Sequence, residues 1–127
     1  MSAVQDITAS ALVAAALKLS ASAANIANAQ DAARVGARPA FKPFGVQNSP
    51  LPGGGVVATA VTLGPSQTLA FDPTSPLANP QGLVQLPEVD PVSEISNQLA
   101  GSQAFAFALK ALKVADDEER TLLNIKV

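Results

Sequence analysis

The chain has 127 residues, enough for one ordinary domain, but its 48% apolar content leans on alanine and only 4% is aromatic. Alanine buries little area, so a core built from this chain alone is thin, and part of its stability is expected to come from partners. Eight basic and ten acidic residues give a net charge of −2 with no basic tract for nucleic acid, and the absence of His, Cys, Trp and Tyr removes the imidazole base, the thiol nucleophile and the soft metal ligands.

The N-terminal segment reads as a helix. Leu12, Ala15, Leu19, Ala23 and Ile26 recur at helical spacing, and Ser2 or Asp6 can cap the start. Continued to about residue 33, the helix would measure roughly 40 Å at 1.5 Å per residue. Its end carries Asn25 and Asn28, poor helix formers whose amides need partners if buried. The start does not read as a secretory signal, because Asp6 stands where a basic region belongs. Lys18 interrupts an apolar run that is too short to span a bilayer, so no membrane insertion is expected.

All ten prolines lie between Pro39 and Pro91, and seven of eight glycines between Gly36 and Gly82. Proline breaks helix interiors, which divides the chain into a helical segment 1–35, a connecting segment 36–88 and a helical segment 89–127. Within the middle, Val57, Val61 and Leu63 alternate as in a strand. The Gly64-Pro65-Ser66 turn suggests that 56–63 pairs with 67–71, with 82–86 as a third strand. "PGGG" at 52–55 lacks the Lys-Ser/Thr ending of a phosphate loop and reads as a flexible turn. No charge occurs between Lys42 and Asp72, which points to a stretch lying against protein.

The C-terminal segment carries a second stripe, Ile95, Leu99, Ser102, Phe105, Leu109 and Leu112, resuming at Leu122 and Ile125. Asp90 is placed to cap this helix with Pro91 in its first turn, and Gly101 permits close approach of another backbone. The two stripes predict a mainly α fold, its terminal helices packed as a coiled-coil-like pair beside a small β-hairpin segment. Phe107 faces away from the stripe, towards either the middle segment or a neighbouring subunit.

The charged groups offer no chemistry of their own. "ADDEER" at 115–120 lacks the glycine and alternating oxygen ligands of a calcium loop and reads as a solvated face, with Asp116 one turn from Arg120. Glu88, Asp90 and Glu94 are better explained by capping and by the helix dipole than as catalytic carboxylates. No enzyme, cofactor or metal is expected.

Asn25-Ile26-Ala27-Asn28 and "FDPTSPLANPQGLVQLPEVDPVSE" at 71–94 together resemble the bacterial flagellar axial proteins, among them the proximal rod proteins of the C type. The likeness covers about residues 7–30 and 69–127, with Phe71 in place of a tyrosine and Glu88 in place of an asparagine. It implies a structural subunit of the basal-body rod, exported uncleaved by the flagellar type III apparatus. Such subunits polymerise with copies of themselves and with other rod subunits, the terminal helices forming an inner tube. The assembly contacts expected are Leu12, Leu19, Asn25, Ile26 and Asn28 on the first helix, and the stripe from Ile95 to Ile125 on the second. The two asparagines would fix register, as a buried Asn does in coiled coils. Two other readings compete: another axial component of the B type or distal rod, and a soluble adaptor binding a partner helix.

Overall fold

The computed structural model describes residues 2–125. Helix α1 spans Ala3–Ala27 and helix α2 spans Pro91–Ile125, with strands β1 (Phe44–Pro50), β2 (Val56–Thr62), β3 (Gln67–Phe71) and β4 (Leu83–Pro87) between them. α1 starts in a capping box. The Ser2 hydroxyl accepts from the Gln5 backbone N–H, and the Gln5 side chain accepts from the Ser2 N–H. α2 starts as expected, the Asp90 carboxylate accepting from the Val92 N–H and the Ser93 hydroxyl ahead of Pro91.

α1 stops six residues short of the expected end near residue 33. Asn28 takes the C-cap, its N–H bonding back to Ala24 O and its Nδ2 donating to the same carbonyl at 2.8 Å. The chain must then reach β4, where Ala33 and Gln85 exchange both backbone bonds. A helix continued through Ala33 could not make that bridge.

The expected strand pairing is corrected. β2 pairs antiparallel with β1, Pro50 opposite Val56 and Phe44 opposite Thr62, while β3 pairs with β4. There are two separate hairpins, and the 63–66 turn links them instead of closing one. The cause lies in "PGGG". Gly53, Gly54 and Gly55 all have positive φ, which L side chains rarely adopt, and the turn is closed by the Leu51 N–H to Gly55 O bond. A strand therefore forms on each side of it, and β1 becomes the partner that β2 needs.

The helices are antiparallel neighbours: Asn25 meets Glu94, Leu19 meets Gly101, and Gln5 Nε2 donates to Glu119 Oε2 at 2.7 Å. The positions of α2 turned towards α1 are Glu94, Gln98, Gly101, Phe105, Ala108, Leu112 and Ala115, alternating steps of four and three. Most of the predicted stripe lies one residue away, about 100° round the helix, and joins the inward face only at Phe105 and Leu112. Small residues are inside because they let the helices approach: a Cβ on Gly101 would stand 3.1 Å from Leu19 Cγ. The core is correspondingly small, Ala14, Ala15 and Ala21 on α1 together with Ala33 and Val84.

The β1–β2 hairpin lies along the other side of α1. Its tip is held where Gly54 abuts Ile7 and the Ser10 hydroxyl accepts from the Val56 N–H. Of the charge-free middle, β1 and β2 rest on α1, while much of the stretch, Leu51, Val57 and Leu69 among it, is exposed, against the expectation that it lies on protein.

Candidate assembly surface

One buried polar junction fixes the relative placement of α1, β1 and α2. Asn25, 1% exposed, donates through Nδ2 to Phe44 O at 2.8 Å and to Glu94 Oε1 at 3.1 Å, and its Oδ1 accepts from the Phe44 N–H. The amide therefore pairs with the backbone of Phe44 as a neighbouring strand would. Beside it the Ser22 hydroxyl donates to Glu94 O at 2.7 Å, so both buried groups are satisfied. Glu94 sits in the first turn of α2, where the helix dipole favours a carboxylate.

Asn25, expected to touch a neighbour, is thus enclosed within its own chain in this conformation. Asn28 caps α1 and is half-buried, and Ile26 beside it is exposed. Leu12, Leu19 and Leu112 are half-buried in the helix pair, and Phe105 lies at its margin. Ile95 and Leu99 are each 61% exposed, and Leu109, Leu122 and Ile125 are exposed too. Phe107 does not pack on the middle segment; it is 68% exposed. The outward stripe also includes Val92, and on α1 Val4 and Val13, which periodicity centred on Leu12 and Leu19 passes over. They are legible as the large apolar residues left once the small ones are assigned inward.

At the far end of the pair, exposed Arg120 and half-buried Asp116 form an ion pair of 3.0 Å, as the i,i+4 spacing predicts. Among the described residues no group of three His, Cys, Asp or Glu side chains could hold a metal ion. α1 is long and apolar enough by length and composition to cross a membrane, against the expectation of too short a run. The difference is that the helix runs through Lys18 to Ala27, and here alanines on two of its sides pack against α2 and the hairpin.

The architecture is a helix pair with a tight small-residue seam and large apolar side chains turned outwards. No family model matches the chain. The flagellar basal-body rod protein FlgC of Salmonella typhimurium is 33% identical over 112 residues, 84% of each chain. That of Buchnera aphidicola subsp. Schizaphis graminum is 30% identical over 128 residues, covering 94% of this chain and 93% of its own. The chain belongs to the FlgC family of flagellar basal-body rod proteins. Membership of this family sorts the sequence resemblance towards the C type of rod protein and away from the B-type and distal relatives. Within the family-like segment 71–94, the connection between β3 and β4 is bonded to itself: Asp72 accepts from both the N–H and the hydroxyl of Thr74, and Asn79 Oδ1 from Gln81 N and Leu83 N.

Proposed function

We propose that this FlgC-family chain is a non-catalytic structural subunit of the flagellar proximal rod, polymerising through its two terminal helices into the shaft that transmits torque. The observation that carries this reading is the exposure of Val92, Ile95, Leu99, Phe107 and Leu109 on α2, while Gly101, Ala108 and Ala115 lie on the face turned to α1. Exposed apolar side chains in such number on one element mark a surface that neighbours cover. Individually weak helix contacts become a rigid shaft only when repeated around a closed helical assembly. The segments 1–35 and 89–127 form the inner helical layer, and 36–88 braces adjacent subunits. The partners are copies of this chain, other rod subunits and the type III export apparatus, which carries it uncleaved to the basal body without membrane insertion. Mass spectrometry of purified hook–basal bodies tests the reading. The chain should appear in a few copies per particle with its N-terminal segment intact; its absence from intact particles rejects the role.

A further inference from the structure

The outer edges of β2 and β3 are open. In β3–β4, the bonds from the Asp72 N–H to Gly82 O and from the Glu88 N–H to Ser66 O set the alternation of the ladder. Gln67, Leu69 and Phe71 therefore turn their N–H and C=O groups away from β4, where among the described residues they meet no partner. The outward groups of β4 are taken: Leu83 exchanges bonds with Asn79, Gln85 does so with Ala33, and Pro87 has no N–H. In β1–β2, the bond from the Leu63 N–H to Pro43 O leaves the even-numbered residues turned outwards. β1 is engaged at Phe44 by Asn25 and ends at Pro50, with Val46 and Asn48 between. On β2 Ser10 holds Val56, and Ala58, Ala60 and Thr62 follow with their outward groups free among the described residues. The β3 edge is the less protected, with Leu69 56% and Phe71 73% exposed and no charge or proline in the strand. Its hairpin packs on neither helix and not on β1–β2, and a lone two-stranded hairpin is marginal in water. Gln67 Oε1 is buried there without a donor.

Resting on the rod reading and deepening it, we infer that the open edge of β3 is completed by β2 of a second copy of this chain. The strands pair antiparallel, with Thr62 opposite Gln67, Ala60 opposite Leu69 and Ala58 opposite Phe71. In that register each outward N–H and C=O of one strand meets its counterpart on the other. Opposed side chains share a face, so the Thr62 hydroxyl reaches Gln67 Oε1 as its missing donor, and the two alanines leave room for Leu69 and Phe71. Neither strand carries a charge that would oppose the approach. Within one chain the match is not made. β1–β2 is tied to α1 through Asn25 and Ser10, and β3–β4 to the segment before β1 through Ala33 and Phe41. Pairing between copies needs none of these ties to break, and it turns two marginal hairpins into one four-stranded sheet.

The chain has no cysteine, so disulfide trapping on the full-length protein reads the contact directly. A copy carrying Ala58→Cys is mixed with a copy carrying Phe71→Cys. A hydrogen-bonded antiparallel pair sets the two Cα atoms about 5.5 Å apart, within disulfide reach. The 58–71 heterodimer should dominate over both homodimers. Adding Leu69→Pro to the Phe71→Cys copy removes an N–H that points away from β4, so the β3–β4 hairpin persists. The initial rate of cross-linking should then fall about five-fold, the factor for one interstrand bond. Amide exchange at Ala70 and Val84, inside the ladder, checks that the hairpin remains. Homodimers in equal amount, a cross-link indifferent to Leu69→Pro, or no cross-link at any concentration overturns the contact. So does a disulfide closing within one chain that carries both cysteines, since the edges would then fill each other. Rod membership is read independently from hook–basal bodies, so either idea can fail alone.

Discussion

At the scale of single residues, Asn25 and Asn28 look equivalent in sequence and do different work. Asn25 satisfies both backbone groups of Phe44 and donates to the Glu94 carboxylate, while Asn28 closes the end of α1. Replacing Asn25 by Ala strands a buried N–H, a carbonyl and a carboxylate, and should lower stability by about 3 kcal/mol in urea titration. Asn28→Ala removes one half-buried cap bond and should cost about 1 kcal/mol or less in the same assay. Asn25→Asp should be at least as damaging as Ala, because it sets a second carboxylate against Glu94. Asp90 supplies a pH dependence. The bonds from the Ser93 hydroxyl, then the Val92 N–H, favour its ionised form and hold its pKa below the usual carboxylate value of 3.8. Its folded pKa being depressed, its contribution is complete above that value and is lost as pH falls through the lower one. Amide exchange at Val92 and Ser93 should accelerate over that acid window, and Asp90→Asn should flatten the change.

At the scale of elements, two glycines have opposite margins. Gly101 is helical, and alanine there gains about 1 kcal/mol of helix propensity while pressing on Leu19, which is half-buried and can yield. Gly101→Ala should therefore fall within about 1 kcal/mol of wild type, whereas Gly101→Leu should part the helices and cost about 3 kcal/mol. Gly54 combines φ of +101° with a Cβ position 2.7 Å from Ile7 Cδ1. Gly54→Ala should cost about 2 kcal/mol from strain and overlap, and amide exchange at Val56 and Val57 should report the loosened hairpin tip. The start of α2 was readable because Asp90 with Pro91 is a local signal, whereas for α1 the sequence offered Ser2 or Asp6 and the structure places Ser2 at the cap. The pairing of β2 was not readable, because hairpin partners depend on which turn closes, and three glycines at positive φ outweigh the Gly64-Pro65 turn.

At the scale of the molecule, the fold leaves many of its large apolar side chains exposed. Leu99→Asp with Phe107→Asp should leave the helix content of the isolated chain within error, since both side chains already stand in water. The same pair should abolish incorporation into hook–basal bodies and with it motility, which swarming on soft agar would show. Loss of helicity in that variant would instead mean that these residues support the single chain.

The sequence by itself determined the two helices, the proline-broken middle between them, the absence of His, Cys, Trp and Tyr and, through residues 25–28 and 71–94, the flagellar family. Those are matters of composition and local spacing. Tertiary structure alone decided which face of α2 turns inwards, where α1 ends and how the strands pair. Periodicity ranks helix faces by hydrophobic size, and here that ranking misleads by one residue. Close approach of the backbones at Gly101 fixes the seam on the face that carries it and leaves Ile95, Leu99 and Leu109 exposed.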